Sequence, residues 1–419
     1  MLRARWFYLL SALLSTSLLG AGCGSDAAAP APASSSQPEA PTPAAPPQPE
    51  PSEQPPTPAE PAAEVAAPRF PAPRAGEQVD VPAGTLHVGS RPGLRSRSPL
   101  READLVALQV PAFRMDRLPY PNDPAQPPRT QVTRPQAEAL CAERQQRLCD
   151  ELEWERACKG DSVLDYVTGE RFDATACRDD YAQCTSPVGV SALGVSVTEW
   201  TASGAPRALR AEAATWMARG GSAESEAADH RCGARHVMDP SAPSLRVGFR
   251  CCSGPAPELS YPAHARTELH ELVEADDATL AGYLRQMPEV ARFAEGFVGT
   301  TATAAASVLE RAEKTEEDLA GWRPFTGVMR WSPTEGEHVW VFSGSSAAVG
   351  ASLIVVAHPM PDGTLVHGAS FVFEGETPPL IVAYSPGTPN ALKWSTCWDC
   401  TGEGGVIMMR EGRVTIAQR

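Results

Sequence analysis

Arg147-Leu-Cys-Asp-Glu-Leu-Glu-Trp-Glu-Arg-Ala-Cys158 is the stretch on which the fold turns. Asp150 followed three residues later by Glu153 reads as a capping box, so a helix should start there. Its i, i+3, i+4 spacing puts Trp154, Ala157 and Cys158 on one face, and Gly160 supplies a stop. Just upstream, Thr133-Arg-Pro-Gln136 repeats the signal, with Pro135 tolerated in the first turn. The helix it opens carries Ala137, Leu140 and Cys141 on one side. Cys141 and Cys158 therefore both point inward from short helices. Farther out, a strand-like stretch punctuated by glycine runs from Val79 to Ser90, and the chain on to Ser253 is loop-heavy. A domain with so little regular structure gains from cross-links.

Four more segments follow in order: Val197-Thr-Glu-Trp200, Arg219-Gly-Gly-Ser222, Arg231-Cys-Gly-Ala-Arg235 and Gly248-Phe-Arg-Cys-Cys252. In order and spacing, the set resembles the formylglycine-generating enzyme (sulfatase-modifying factor) family. The resemblance covers about 175 residues. It implies a compact, C-type-lectin-like fold with little regular secondary structure, and it implies two disulfides, Cys141–Cys251 and Cys158–Cys232. The remaining cysteines then offer Cys149–Cys252, Cys177–Cys184 and Cys397–Cys400 by elimination, since spacing alone does not choose among pairings.

The family oxidises a substrate cysteine with a copper-binding cysteine pair placed between its RGGS and RCxAR segments. Here that interval, Ala223-Glu-Ser-Glu-Ala-Ala-Asp-His-Arg231, contains no cysteine. Carboxylates and one imidazole are harder ligands than thiolates and suit cuprous copper poorly. No catalytic residue is assigned, and no cofactor. His230, a lone histidine beside an arginine, reads as surface decoration. A retained oxidoreductase activity would need unusual ligands near Glu224, Asp229 and His230. The family's GNVWEW segment, which helps bind calcium, is Val195-Ser-Val-Thr-Glu-Trp200 here. Only Glu199 survives as a calcium candidate, and one carboxylate is far from the six to eight oxygens calcium takes. Glu199 reads instead as a buried, hydrogen-bonded residue, and Trp154 and Trp200 as core aromatics.

The chain has 419 residues and a net charge of −15, which argues against nucleic acid as a partner. Residues 1–22 have the layout of an export signal, with Arg3 and Arg5 before an apolar run too short for a membrane span. Cys23 after Leu19-Gly-Ala-Gly resembles a bacterial lipoprotein processing site, so a lipid anchor at Cys23 would tie the chain to a membrane. Residues 23–75, rich in proline and alanine, cannot bury enough apolar surface to order themselves and read as a tether. The expected location is the cell envelope, facing the periplasm or the cell surface. Removing Cys23 from the eleven cysteines leaves an even ten, as disulfides in an exported protein require.

The resemblance assigns 76–254 to the first folded domain. Residues 255–262 read as a linker, and 263–419 as a second domain of no recognised family. Helical patterns there span Asp276–Met287, Glu289–Phe297 and roughly Ala302–Trp322. Strand candidates follow at Val339–Phe342, Ser352–Ala357, Thr364–Phe373, Leu380–Tyr384, Val406–Met409 and Arg413–Ala417. Helices followed by strands predict an α+β domain with a mostly antiparallel sheet, making the whole molecule α+β. Within it, His270-Glu-Leu-Val-Glu274 lacks the second histidine of a zinc HExxH helix and reads as a solvated helix face. Cys397-Trp-Asp-Cys400 has CxxC spacing, but lies between strands and glycines, so a staple is favoured over a redox centre. His338, His358 and His367 lie in or beside strands without a spacing that demands convergence.

Two readings emerge. In the first, the domain is a non-catalytic binding or structural module on an envelope lipoprotein, taking a glycan, peptidoglycan or protein ligand. In the second, it is an oxidoreductase of the formylglycine-generating type with atypical ligands, or the C-terminal domain carries an enzyme activity.

Overall fold

The computed structural model describes residues 70–418, apart from 174, 176–183, 207–214, 263–269, 316–318, 375–379 and 399–403. The export-signal reading, Cys23 included, and the tether reading as far as residue 69 fall outside these residues; at the end of the 23–75 segment Pro73 is buried and the Pro71 carbonyl accepts from Arg117, so its last residues belong to the folded part. Among the described residues no helix is long and apolar enough to cross a membrane.

The N-terminal part begins with β1 (Gln78–Val81), β2 (Gly84–Gly89), β3 (Asp104–Val110) and β4 (Phe113–Asp116). Two helices follow, α1 (Arg134–Ala142) and α2 (Glu151–Lys159), with the short β5 (Arg147–Leu148) between them. Then come β6 (Thr198–Gly204), β7 (Trp216–Arg219), β8 (Arg235–Met238), β9 (Val247–Phe249) and β10 (Cys251–Ser253). They form a sheet in the order β1-β4-β10-β5, the pair β2-β3, and a sheet in the order β8-β7-β6-β9 whose β6–β9 pairing is parallel. Both helices start at a complete capping box, on Thr133 with Gln136 and on Asp150 with Glu153. Gly160 closes α2 at positive φ, where a Cβ carries a steric penalty.

The α2 face that carries Trp154, Ala157 and Cys158 lies in the first core, and the rest of the helix is buried as well, including Glu151, Glu153, Glu155, Arg156 and Lys159. The helix threads the middle of the domain, and buried charge is tolerated because each acid meets a base.

The C-terminal part holds β11 (His270–Val273), α3 (Asp277–Arg285), β12 (Phe297–Gly299), α4 (Ala302–Arg311), β13 (Arg323–Phe325) and β14 (Val328–Trp331). The strands β15 (Val339–Ser346), β16 (Ala351–Pro359), β17 (Leu365–Glu374), β18 (Ile381–Tyr384), β19 (Ala391–Ser395), β20 (Gly404–Arg410) and β21 (Arg413–Gln418) complete it. They make two antiparallel sheets, one in the order β11-β14-β15-β16-β17 with β12 on β15, the other in the order β13-β18-β19-β20-β21. Alternation sets the layers. On β16, Ile354 and Val356 face the second sheet, while Leu353, Val355 and Ala357 face the α3 side. On β18, Val382 faces the first sheet, and Ile381 and Ala383 face α4 with Val308 and Trp398. The result is four layers, α3, sheet, sheet and α4.

Several sequence expectations are corrected here. His270–Val273 is a strand, β11, paired with β14, so the HELVE segment has no helix face to present. The helix expected over Glu289–Phe297 is a single 3-10 turn, Ala291–Phe293, followed by β12. The one expected to reach Trp322 stops at Arg311, with Glu313 in the left-handed region two residues on. Strands β11 to β14 and β19 carried too little pattern to be read: four are three or four residues long, and edge strand β13 contains Pro324.

Residues 255–262, read as a linker, lie partly against the first core through Leu259 and Tyr261. The Tyr261 hydroxyl accepts from the Ala103 backbone N–H at 3.2 Å, and Arg235 stacks over its ring.

Candidate functional site

Three disulfides hold the scaffold that frames any site. Cys141 is joined to Cys251, Cys149 to Cys252 and Cys158 to Cys232. Each ties α1, the residue after β5 or α2 to a segment 74 to 110 residues farther on, so the helices and those later segments cannot separate. Cys184 and Cys397 are also disulfide-bonded. Cys177 and Cys400, expected as their partners, lie outside the described residues.

Between these staples runs a buried ionic network. Arg219, from the Arg-Gly-Gly-Ser segment, donates to Glu155 at 2.6 Å and to the Cys232 carbonyl at 2.7 Å. Glu155 also accepts from Lys159 at 2.6 Å and from the Gly89 backbone at 2.7 Å. Arg235 holds Glu151 with two bonds of 2.7 Å. Burial opposes the Arg219 charge, but Glu155 and Glu151 outweigh it and hold the guanidinium above its ordinary range. Burial pulls Lys159 down despite Glu155. Arg219 and Arg235 are thus spent on α2 rather than on a substrate. Gly220 and Gly221 are required by close approach. A Cβ on Gly220 would stand 2.3 Å from Gly194 Cα, and one on Gly221 would stand 2.8 Å from the His230 ring.

Glu199 and the two tryptophans form the centre of the domain. Trp154 and Trp200 are buried. Arg250 Nε donates to both Glu199 oxygens, at 3.0 and 2.9 Å, and Trp154 Nε1 donates to Oε2 at 3.0 Å. Burial raises the Glu199 carboxyl, and Arg250 and Trp154 oppose the shift. A carboxylate so occupied does not present its oxygens to a calcium ion.

The interval where the resembled family carries its copper thiolates folds as a tight turn ending in a 3-10 turn, Ala227–His230. His230 is 3 % exposed, which corrects the surface reading. Its ring stacks on Phe172 with centroids 4.3 Å apart. Nδ1 lies 2.7 Å from the Gly194 carbonyl and Nε2 3.3 Å from the Ser225 carbonyl, and the neutral ring donates to one of the two. Glu224 points outward to Arg246 at 2.5 Å. Glu224, Asp229 and His230 therefore do not converge, and the donors present do not fit a copper ion. Among the described residues no group of three His, Cys, Asp or Glu could hold a metal.

The C-terminal histidines each have a neighbour of their own. His338 Nδ1 meets the Ser332 hydroxyl at 3.0 Å, and His367 Nε2 meets the Ser370 hydroxyl at 3.1 Å. His358 is buried with Nδ1 3.1 Å from Glu337 Oε1, outside hydrogen-bond alignment.

The place sequence reasoning missed is a polar cleft of about 560 Å³ beside β1, β4 and β10. Gln78, Arg114, Asp116, Asn122, Arg144 and Gln146 are among its walls. Its one sequence signal is the alternation Phe113-Arg-Met-Asp116, which turns two charges away from the core.

Residues 112–254 match the sulfatase-modifying factor enzyme 1-like domain. The chain thus contains a domain like that of the formylglycine-generating enzymes. Similar solved structures include PvdO from Pseudomonas aeruginosa, 18% identical over 42% of this chain and 93% of that one, with a TM-score of 0.32. CarF is 14% identical over 42% of this chain and 97% of its own, with a TM-score of 0.33. Treponema denticola variable protein 1 is 14% identical over 42% and 95%, with a TM-score of 0.30. No curated protein matches.

Proposed function

We propose that this sulfatase-modifying-factor-like domain is a non-catalytic binding or structural module. It is carried by an envelope lipoprotein anchored through Cys23 and held away from the membrane by residues 23–75. Its ligand is an envelope glycan, peptidoglycan or protein, and the module needs no metal.

One observation carries the reading. The interval that should supply two thiolates offers a single imidazole, buried and flanked by two backbone carbonyls. Soft thiolates are what cuprous copper requires, and nothing of that kind replaces them. Glu199, the last acid of the calcium-type segment, is likewise consumed by Arg250 and Trp154. What is left is a cross-linked core displaying loops, which suits recognition.

The test is incubation of the exported chain with a sulfatase-type cysteine peptide, with and without added copper, followed by mass spectrometry. The peptide is expected to remain unchanged, and the protein to hold no thiolate-bound copper. Formylglycine in the peptide would overturn the reading and assign catalysis to other residues.

A further inference from the structure

The polar cleft is built by strand alternation. Phe113 and Met115 of β4 enter the core, which leaves Arg114 and Asp116 on the opposite face. Register sets Gln78 of β1 across from Asp116, and Ser253 of β10 across from Arg114. The cis Tyr120–Pro121 bond, Asn122 and Gln145–Gln146 close the other side. The cleft is open to solvent, and its volume of about 560 Å³ falls in the range of small-ligand sites.

At the floor, Asp116 is 1 % exposed. Its Oδ1 accepts from Gln146 Nε2 at 2.9 Å and from Gln78 Nε2 at 3.2 Å. Its Oδ2, also buried, accepts from no group among the described residues. Buried acceptors are almost always paired, because an unpaired one keeps its desolvation cost without return. Burial accordingly holds this carboxyl above the ordinary aspartate range, against Gln146, Gln78, Arg144 and Arg250. A donor entering the cleft would relieve the mismatch, and a cationic donor most of all.

The rim has the opposite sign. Arg114 is exposed and makes no side-chain hydrogen bond or ion pair among the described residues. Arg144 lies 4.0 Å over the Tyr120 ring and donates to the Pro121 carbonyl at 3.1 Å, which leaves much of its guanidinium open. Asp123, the other acid of the cleft, spends its oxygens on the Ala125 backbone at 2.9 Å and on Gln126 at 2.6 Å. A simple cation must pass Arg114 and Arg144, and a simple anion leaves the Asp116 oxygen unanswered. A molecule carrying both charges on neighbouring atoms answers both.

The geometry points to a small α-amino acid, bound as its zwitterion, as the ligand of this cleft. Its ammonium donates to Asp116 Oδ2, and its carboxylate takes Arg114 and Arg144. This deepens the binding reading above and rests on it only in requiring that the domain recognise a ligand. The protein's sorting among amino acids lies with the uncharged walls, Gln78, Gln146 and Ser253.

Isothermal titration of the full chain tests it with L- and D-alanine, with ethanolamine, which lacks the carboxylate, and with lactate, whose hydroxyl replaces the ammonium. At least one alanine isomer is expected to bind about tenfold or more tightly than ethanolamine and lactate. Asp116→Asn and, independently, Arg114→Ala should each weaken that binding by about tenfold. Arg114 is exposed, so its variant keeps the test valid even if Asp116→Asn folds poorly. Absence of alanine binding, binding indifferent to both variants, or lactate binding as tightly as alanine would each overturn the proposal. A glycan or protein ligand held equally well by parent and variants, with alanine not bound, would sink this proposal and leave the broader binding reading standing.

Discussion

Asp116 illustrates how a single residue can set a pH dependence. Burial raises its carboxyl above the unfolded value, with Gln146 and Gln78 opposing. The folded chain thus holds this proton more tightly than the unfolded chain does. The stabilisation it brings is fully present below the unfolded value, near about 3.9, and is lost as pH rises through the higher folded value. At neutral pH the charged carboxylate is therefore a net cost. Asp116→Asn keeps an acceptor for the two glutamines and removes the charge, so it should stabilise the protein by on the order of 1 kcal/mol near pH 7. The gain should vanish near about pH 3. Urea titrations of both proteins at the two pH values check this, and a variant less stable than the parent at neutral pH would show the charge to be paired. Little of this was legible in the chain. Asp116 sits in no motif, and what buries it are amides 30 and 38 residues away. His230 misled for a related reason: its sequence neighbours are polar, but Phe172 and the bare backbone of Gly221 make room for the ring inside.

Helix α2 shows how an element can be readable in its outline and opaque in its interior. Its start was legible because a capping box is local, completed between Asp150 and Glu153 within one turn. Its environment was not, because the partners of its charges come from β7 and β8 and from the end of β2. Periodicity finds apolar faces, and it has no means of finding an acid matched by a distant arginine. Glu155 is the clearest case, fully buried and accepting from Lys159, Arg219 and the Gly89 backbone. Removing one member of such a cluster strands the rest. Glu155→Ala is expected to cost about 3–5 kcal/mol, against about 0–1 kcal/mol for an exposed pair such as Arg91–Glu170. Guanidinium unfolding of Glu155→Ala and of Glu170→Ala measures the contrast, and equal losses would mean that the buried network is not cooperative. The C-terminal strands make the complementary point. Long strands buried on both faces, such as Ala351–Pro359, announce themselves as apolar runs, whereas the four-residue β14 is defined only by its neighbours.

At the scale of the whole molecule, the two parts meet through the connection between β2 and β3. The class of the C-terminal part was legible from the order of helix and strand patterns, and that of the first part from its resemblance to a known family, but their junction was not, since it joins residues some 240 positions apart. Arg97, on that connection, reaches Glu337 Oε2 at 3.4 Å, donates to the Glu102 carbonyl at 3.0 Å and pairs with Asp104. Glu102 is itself clasped by Arg231 at 2.5 and 2.8 Å, which carries the contact into the first core. On the far side, Glu337 faces His358 of β16. Glycines let the surfaces close, for a Cβ on Gly93 would stand 2.6 Å from His358 Nε2, and one on Gly336 2.5 Å from the Pro99 carbonyl. Glu337 therefore lies between Arg97 of the first part and the His358 ring of the second, and it is buried. Interfaces within a chain let domains move unless they are large and apolar, so a small polar junction transmits stability only while its charges are matched. Glu337→Ala leaves Arg97 and His358 buried without their common partner, and about 3 kcal/mol of coupling should be lost. In calorimetry, a parent that unfolds in a single transition should give a variant with two, the first core and the paired sheets melting separately. Glu337→Gln, which still offers Arg97 an acceptor, should fall between them. A Glu337→Ala protein that melts like the parent would show that the apolar and backbone contacts around Gly93 and Gly336, rather than this ion pair, hold the halves together.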